Sequence, residues 1–260
     1  MILRKDRMTD LFSLKGKRFL ITGGTRGIGR AISLCFARSG ASIIANYVRD
    51  FQSAEFLKSE AAEEGLEIDF CRADLTSPKG LEKLNLFIES ENNVLSGLIH
   101  CAASGVHKPL EELTTRHFDW TFAINVRAFF ELVKLILPRL SEGSSIVAVS
   151  SKGAVRAIPS YSMVGASKGA LESIARHFAA ELAPKGIRVN ILSPGAVMTD
   201  AWKIMPDAED RLSETIRRTP IGRIVTPEEV ALTAQFLCSD ASFGIVGHTL
   251  VVDGGAGITE

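Results

Sequence analysis

The chain has 260 residues, and 46% of them are hydrophobic, which is enough to build a sizeable buried core. Its 30 lysine and arginine residues balance 30 aspartate and glutamate residues, and this zero net charge argues against a nucleic-acid-binding protein. The four cysteines form no Cys-x-x-Cys pair and the histidines show no metal-ligand spacing, so we expect a reduced, cytoplasmic protein without a metal site. No apolar run approaches the ~20 residues of a membrane span, so we expect no membrane partner.

Short apolar runs alternate with longer amphipathic stretches along the whole chain. The predicted strands are Arg18–Thr22, Ser42–Tyr47, Glu67–Cys71, Gly97–Cys101, Ser145–Ser150, Ile187–Leu192 and Thr249–Val252. The predicted helices are Ile28–Ser39, Ser53–Glu64, Leu81–Glu89, His117–Leu140, Tyr161–Leu182 and Pro227–Leu237. Because strands and helices alternate, the predicted fold class is α/β: a doubly wound, Rossmann-type parallel sheet of about seven strands with helices on both faces.

Neither a linker nor an internal repeat interrupts this alternation. We therefore expect a single domain over residues 14–260, preceded by a loose N-terminal arm over residues 1–13. The least regular segment, residues 195–226, follows a strand end, and a long excursion at such a place is typical of a lid or binding loop. We interpret it as a candidate substrate lid, with a surface helical hairpin as the alternative.

The first predicted strand runs into a glycine cluster, Gly23-Gly-Thr-Arg-Gly27-Ile-Gly29, at which a helix begins. Glycine permits a tight turn and lets the backbone approach a phosphate closely. The start of the helix offers free N–H groups and the positive end of the helix dipole. Between the first strand and the first helix of an α/β chain, the cluster predicts a dinucleotide site, and a purely structural glycine turn is the alternative.

The spacing Gly-x-x-x-Gly-x-Gly, opened by Thr22, resembles that of the short-chain dehydrogenase/reductase family. Further matches follow in the family's order: Asp74-Leu75, His100-Cys-Ala-Ala103, Asn125, Pro194-Gly195 with Thr199, and Val252-Asp-Gly-Gly255. The stretch at His100 departs from the family's Asn-Asn-Ala-Gly at three of its four positions. The resemblance covers Lys15 to Gly255 and implies a nicotinamide-dependent oxidoreductase that forms a homotetramer.

The motif and the resemblance together define a set of candidate cofactor-binding residues: Gly23, Thr25, Arg26, Gly27, Ile28, Gly29, Tyr47, Arg49, Asp74, Leu75, Ala102, Lys168, Pro194, Gly195, Val197 and Thr199. An acidic residue at the end of the second strand would accept a hydrogen bond from the ribose 2′-OH and favour NAD. That position is Tyr47, whereas Arg26 and Arg49 are suited to pair with a 2′-phosphate. The expected cofactor is NADP(H), and the alternative is that both arginines are simply solvated.

The candidate catalytic pair is Tyr161 and Lys168, seven residues apart. Seven residues make nearly two helical turns, so both side chains would lie on one helix face. Most members of the resembled family place the tyrosine four residues before the lysine, where this chain has Val164. The phenol is therefore expected about one turn, roughly 4.5 Å, from the usual position.

This displacement favours one class of reduction. In a carbonyl reduction, hydride is delivered to the carbon that bears the protonated oxygen. In a C=C bond conjugated with a thioester, hydride is delivered to the β-carbon while charge develops on an oxygen two carbons further along. The hydrogen-bond donor must then lie farther from the nicotinamide, and a displaced tyrosine suits this requirement.

The Tyr-x6-Lys spacing resembles the divergent enoyl-acyl-carrier-protein reductases of bacterial fatty-acid synthesis. The stretches Ala102-Ala-Ser-Gly105, Phe118-Asp-Trp120 and Thr219-Pro-x-Gly-Arg223 are most similar to their NADPH-dependent type III (FabL-like) form, which has Gly-Gly where this chain has Pro194-Gly195. The resemblance implies reduction of a trans-2-enoyl thioester.

The same resemblance implies a role for each candidate catalytic residue. Tyr161 donates a hydrogen bond to the thioester oxygen, and Lys168 holds the nicotinamide ribose and favours the developing anion. Asn125 supports Lys168. Ser151 is the expected catalytic helper, with Ser150 as its rival.

The partners follow from this function. The substrate is a small acyl thioester, on an acyl carrier protein or on coenzyme A. A carrier protein is acidic, so the lid arginines Arg217, Arg218 and Arg223 form a candidate docking patch, and a solvated helix face is the alternative. Two other functions stay open: a carbonyl or alcohol oxidoreductase of the same family, for instance on 3-oxoacyl thioesters, and a non-catalytic nucleotide-sensing protein.

Overall fold

Seven parallel strands form one sheet in the computed structural model, which describes residues 11–91, 94–199 and 208–259. They are β1 (Arg18–Thr22), β2 (Ser42–Tyr47), β3 (Ile68–Arg72), β4 (Gly97–His100), β5 (Ser145–Val149), β6 (Arg188–Pro194) and β7 (Thr249–Val252). Their order across the sheet is β3-β2-β1-β4-β5-β6-β7. The order reverses between β1 and β4, and in doubly wound sheets the crevice at the carboxyl ends of such strands is where ligands bind. The predicted fold class is confirmed.

Eight α-helices in the described residues accompany the sheet. They are α1 (Gly27–Arg38), α2 (Phe51–Glu63), α3 (Pro78–Glu91), α4 (Thr115–Phe122), α5 (Ala128–Ile136), α6 (Ser162–Leu182), α7 (Ala208–Arg218) and α8 (Pro227–Cys238). Among these helices, none is long and apolar enough to cross a membrane.

The central strands β1, β2, β4, β5 and β6 are buried on both faces, which explains their continuous apolar runs, whereas the edge strands β3 and β7 are partly exposed. In β1, Leu20 belongs to one buried cluster, whereas its neighbours Phe19 and Ile21 belong to a second cluster on the opposite face. The first cluster is completed mainly by α3, α5 and α6, and the second by α1 and α8. Successive side chains of a strand point to opposite faces, so both helical layers are anchored on the same seven strands.

The helix predicted over residues 117–140 is present as one uninterrupted helical run up to Arg139, but it is not α-helical throughout. It consists of α4, a π-helical turn over Ala123–Arg127, α5 and a final 3-10 turn over Leu137–Arg139. Asn125 lies inside the π-helical turn and is fully buried. Such turns inside α-helices are frequent at functional sites, because the extra residue re-aims a side chain.

Two segments of the predicted domain organisation, the N-terminal arm and the lid, are only partly covered by the described residues. Residues 1–10 of the predicted arm and residues 200–207 of the predicted lid lie outside the described residues. The end of the arm is attached to the protein: the carbonyl of Phe12 accepts a hydrogen bond from Gln235 Nε2 at 2.8 Å, and the ring of Phe12 lies 6.2 Å from that of Phe236 in α8. The described part of the lid segment contains the helix α7, and the sequence analysis expected helix there only under its alternative, a surface helical hairpin.

Candidate active site

The predicted cofactor residues gather at the carboxyl ends of the strands. The turn after β1 and the start of α1 contain Gly23, Thr25, Arg26, Gly27, Ile28 and Gly29, the end of β2 and the loop after it contain Tyr47 and Arg49, and the turns after β3 and β4 contain Asp74, Leu75 and Ala102. The end of β6 and the loop after it contain Pro194, Gly195, Val197 and Thr199. These residues therefore line the carboxyl ends of the strands on both sides of the point between β1 and β4 where the strand order reverses.

The glycine turn after β1 fits the phosphates of a dinucleotide. A Cβ atom at Gly29 would lie 2.0 Å from the carbonyl oxygen of Gly23, so no other residue fits there without moving the backbone. Arg26, the residue before α1, makes no side-chain cap, so its side chain leaves the first N–H groups of the helix free for a ligand. A Cβ atom at Gly27 would meet only Thr199, at 3.6 Å, which places the loop after β6 across from the turn.

His100 ties the end of β4 to the end of β1. The hydroxyl oxygen of Thr22 accepts a hydrogen bond from the N–H of Ala102 at 3.1 Å, and the same oxygen lies 3.1 Å from Nδ1 of His100. Burial, together with the positive charge of Lys168, lowers the pKa of His100 to about 3, so the ring is neutral at neutral pH. One of the two atoms therefore donates to the other, and the tautomer of the neutral ring sets the direction. The departure from the family pattern at His100 is thus a positioning contact that the sequence analysis missed.

The two arginines near the end of β2 differ in their partners. The guanidinium of Arg26 lies 4.0 Å from the carboxylate of Asp50, which caps α2 by accepting from Ser53. Arg49 makes no ion pair with any residue in the described part of the chain. Of the two predicted phosphate ligands, Arg49 is therefore the one whose charge is uncompensated.

Tyr161 lies immediately before α6, one residue outside the helix that was predicted to begin there. Its hydroxyl lies 3.4 Å from Oγ of Ser151, and its ring packs edge-on against His107 with 5.1 Å between the centroids. A Cβ atom at Gly153 would lie 2.5 Å from the ring, so this glycine makes the room for the tyrosine. Neither His107 nor Gly153 was identified from the sequence, since only the folded chain brings them to Tyr161.

Val164, at the usual position of the family's tyrosine, is a packing residue. It is buried, and a Cβ atom at Gly105 would lie only 2.3 Å from its Cγ2. The loop after β4 therefore lies directly against the first turns of α6, and the only phenol close to that end of α6 is that of Tyr161.

The two candidate serines face different partners. Ser151 is the hydrogen-bond partner of Tyr161, as expected for the helper. Ser150 is buried, and its hydroxyl donates to Oε1 of Glu172 at 2.6 Å. Glu172 lies four residues after Lys168 on the same face of α6, and it was not identified from the sequence.

Lys168 is a buried cation at the carboxyl end of β5. Its Nζ donates a hydrogen bond to the carbonyl oxygen of Val149 at 2.7 Å. Burial lowers the pKa of Lys168 from 10.5 to about 8, while negative charge on Cys101 and on Glu172 acts in the opposite direction. The pKa of a lysine shifts readily on burial, so the amine of Lys168 can gain or lose its proton near neutral pH.

Asn125 joins the loop after β4 to α6. Its amide Nδ2 donates to the carbonyl of Ser104 and to Oγ of Ser167, both at 2.9 Å, and its Oδ1 accepts from the N–H of Ser104 at 3.0 Å. Ser167 directly precedes Lys168. The contact to Lys168 that the sequence analysis expected thus runs through the neighbouring serine in this structure.

The three arginines of the predicted docking patch have two carboxylate partners between them. Arg217 and Arg218 both pair with Glu214, and Arg223 pairs with Glu229 at 2.7 Å. All three arginines are more than half exposed, and the docking patch stays a prediction.

No group of three or more histidine, cysteine, aspartate or glutamate side chains in the described ranges is arranged to hold a metal ion.

A family and a curated protein match nearly the whole chain. The profile of a family described as enoyl-(acyl carrier protein) reductase matches residues 23–257. A 1-cyclohexenylcarbonyl-CoA reductase from Streptomyces collinus is 35% identical over 241 residues, which are 92% of this chain and 86% of that protein.

Two solved structures have the same fold over nearly their full length. A 7α-hydroxysteroid dehydrogenase complexed with NADH and 7-oxo glycochenodeoxycholic acid has a TM-score of 0.88 at 32% identity, and the match covers 95% of this chain and 96% of that one. A Beutenbergia cavernae protein, described as a candidate NAD(P)-dependent gluconate 5-dehydrogenase with NADP at low occupancy, has a TM-score of 0.89 at 29% identity over 96% and 100% of the two chains. Similar structures therefore contain either nicotinamide cofactor.

The burial of Lys168 predicts an unusual titration. We expect the Cε resonance of Lys168, followed by NMR, to titrate near pH 8, well below the ordinary lysine value of 10.5. Glu172→Gln should move this midpoint further down, because the Glu172 charge raises the pKa of Lys168. A midpoint at 10.5 would contradict the buried placement of Lys168.

Proposed function

We propose that this chain, which belongs to the short-chain dehydrogenase/reductase family, reduces the C=C bond of a trans-2-enoyl thioester with NADPH. The relatives described above are dehydrogenases and reductases. The observation that carries the proposal is the position of Tyr161. Its phenol lies before the first turn of α6, beside Ser151, while the usual position for a proton donor is taken by the buried Val164.

The site residues divide the chemistry as follows. NADPH, when bound, supplies the hydride. Tyr161 donates its hydroxyl proton in a hydrogen bond to the thioester carbonyl oxygen, on which negative charge develops as hydride is added to the β-carbon, and a proton from solvent then completes the reduction at the α-carbon. Ser151 Oγ lies 3.4 Å from the Tyr161 hydroxyl, and with substrate bound the serine hydroxyl donates to the phenol oxygen and orients it. Lys168 supplies a positive charge beside the ribose and the developing anion, and Asn125 and Glu172 hold the surrounding loop and strand ends in place.

The relatives support reduction of a conjugated thioester. The name of the Streptomyces collinus protein describes an alkenyl group conjugated with a coenzyme A thioester. The matching family profile is described as an enoyl-(acyl carrier protein) reductase. Coenzyme A and carrier-protein substrates share the reacting group, and a carrier-protein substrate would place the reaction in fatty-acid synthesis. A cytoplasmic location fits the four free cysteine thiols.

A second candidate function is favoured by the similarity to the hydroxysteroid dehydrogenase. In that case Tyr161 would donate to a carbonyl or alcohol oxygen of a differently placed substrate, such as a 3-oxoacyl thioester. The two functions differ in the bond that is reduced and are separated by the choice of substrate.

The removal of one hydroxyl tests the proposed reaction. We expect the native enzyme to oxidise NADPH faster with crotonyl-CoA than with acetoacetyl-CoA. Tyr161→Phe should lower kcat by about 100-fold or more while the Kd for NADPH stays unchanged, since the lost donor acts on the substrate oxygen.

Ser151→Ala and Ser150→Ala form a matched pair for this test. Ser151→Ala should lower kcat, because it removes the partner of Tyr161, whereas Ser150→Ala acts only on the buried Glu172 contact. Near-normal turnover of Tyr161→Phe would overturn the role of the phenol, and a preference for acetoacetyl-CoA would favour the second function.

The preference for NADPH is attributed to Arg49. We expect Arg49→Ala to raise the KM for NADPH by about tenfold or more and to leave the KM for NADH unchanged, because only NADPH carries the 2′-phosphate. Arg26→Ala is the matched comparison and should have a smaller effect, since Arg26 already faces Asp50 at 4.0 Å. A native enzyme that prefers NADH would contradict this assignment.

The proposed assembly is a homotetramer that uses the face formed by α4, α5 and α6. This face contains an open groove of about 590 Å³, lined mainly by Phe122, Ala123, Val126, Phe130 and Ile174. Apolar grooves of this kind suit a self-complementary contact between two copies. Light scattering should give four times 28.1 kDa, and Phe130→Asp should reduce that mass. A native protein of 28.1 kDa in solution would contradict the assembly.

A further inference from the structure

Three consecutive residues after β5 differ in what they contact. Ser151 lies beside the hydroxyl of Tyr161, and Gly153 leaves the space that the tyrosine ring fills. Lys152, between them, reaches another part of the protein: its Nζ donates a hydrogen bond to the carbonyl oxygen of Ala256 at 2.7 Å. The reaction described above uses the residues on either side of Lys152 but not the lysine itself.

The turn after β7, residues 253–258, offers this lysine a carboxylate as well as a carbonyl group. Nζ of Lys152 lies 4.0 Å from Oδ2 of Asp253, and the Asp253 side chain is only 8% exposed. That oxygen is buried and accepts no hydrogen bond from any described residue, whereas Oδ1 accepts from the N–H of Gly255 at 3.0 Å. A buried carboxylate is costly without a compensating cation, so the ammonium group of Lys152 has a defined place beside it.

A second cation of the same loop holds the next residue of that turn. Nη2 of Arg156 donates to the carbonyl oxygen of Gly257 at 2.7 Å. Two positive side chains from the loop after β5 therefore bind two successive carbonyl groups, those of Ala256 and Gly257. Hydrogen bonds with a charged donor are stronger than those between neutral groups, so they fix the loop to the turn.

The turn after β7 is itself held by two other segments. The N–H of Gly195, in the loop after β6, donates to the carbonyl of Val252 at 2.9 Å, and a Cβ atom at Gly195 would lie 2.6 Å from Cβ of Asp253. In the segment after α7, the N–H of Ile221 donates to the carbonyl of Gly254 at 3.3 Å, and a Cβ atom at Gly254 would lie 2.6 Å from Cδ1 of Ile221. A loop that is bound to this turn is therefore bound to a fixed point of the fold.

We propose that Lys152 is a positioning residue for the phenol of Tyr161. By joining the loop after β5 to the turn after β7, its ammonium group sets the places of Ser151 and Gly153, and these two residues set the places of the tyrosine hydroxyl and ring. The effect of Lys152 on turnover rests on the proposed function, whereas its effect on the position of the ring does not.

The position of the ring can be followed without turnover, because the chain has two tyrosines, Tyr47 and Tyr161. The NMR spectrum of the full chain with ring-¹³C tyrosine contains signals from both, and Tyr161→Phe identifies those of Tyr161. Lys152→Met keeps a side chain of similar length without the charge, and we expect it to shift the Tyr161 signals and to leave those of Tyr47 unchanged. Lys152→Arg should stay close to the native spectrum, since arginine is also a charged donor.

Turnover should change together with the ring position. With crotonyl-CoA, we expect Lys152→Met to lower kcat by about tenfold or more and to leave the Kd for NADPH unchanged, because a misplaced donor affects the reaction and not the binding of the cofactor. In the Tyr161→Phe background the same substitution should have no further effect on kcat, since no phenol hydroxyl is left to position. A lysine that only stabilised the fold would instead lower the melting temperature and act equally in both backgrounds.

Lys185→Met is the matched control for these measurements. Lys185 is exposed in the 3-10 turn after α6, near the amino end of β6 and thus away from the site. Its replacement should leave the tyrosine signals and kcat unchanged. Lys152→Gln, a second uncharged replacement, provides the same test if the methionine variant does not fold.

The proposal is overturned if the Tyr161 signals of Lys152→Met remain at their native positions, or if they move no more than in Lys185→Met. It is also overturned if Lys152→Met lowers kcat equally with and without the phenol hydroxyl. Failure of the proposed function looks different. The native enzyme would then not reduce crotonyl-CoA, while the tyrosine signals would still show whether Lys152 positions the ring.

Discussion

A buried ammonium group is the constraint on which the site depends. Lys168 is almost completely enclosed, and taking a cation out of water is costly unless polar groups compensate for its hydration. The Val149 carbonyl accepts from Nζ, and the Glu172 carboxylate lies one helical turn away. These contacts come from β5 and α6, so the lysine is held only when the sheet and this helix are packed together.

The same packing determines where a proton donor can stand. The loop after β4 lies so close to α6 that Gly105 has no room for a side chain beside Val164. Tyr161 lies one turn before Val164, at the start of α6. Its ring fills the space that Gly153, in the turn after β5, leaves by having no side chain. The position of the Tyr161 phenol thus depends on glycines in two separate loops, Gly105 and Gly153. Because the packing sets this position, it also sets where the substrate oxygen must lie in the proposed reaction.

Electrostatic compensation separates surface charges from ligand-binding charges. The arginines of α7 and of the segment that follows it have carboxylate partners three to six residues away in the sequence. These ion pairs are exposed to solvent, and such pairs contribute little to stability. Arg49 and Arg116 have none in the described chain and share a cavity. The three arginines of the lid segment thus share two carboxylate partners, whereas Arg49 and Arg116, far apart in the sequence, have no ion-pair partner among the described residues.

The sequence by itself determined the fold class, the glycine turn and the seven-residue spacing of Tyr161 and Lys168. These features depend on the hydrophobic periodicity of neighbouring residues and on the glycines that a tight turn requires, so they can be inferred from short stretches of sequence. Only the tertiary structure decided which of Ser150 and Ser151 faces the tyrosine, why β4 ends on His100, and where the long helix changes to a π-helical turn at Asn125. In each case the partner is distant in the sequence, as in the contact of Thr22 with His100 across 78 residues, and no local pattern specifies such a pair. Ion pairing was decided in the same way, because burial and the approach of charged groups exist only once the strands and helices have packed.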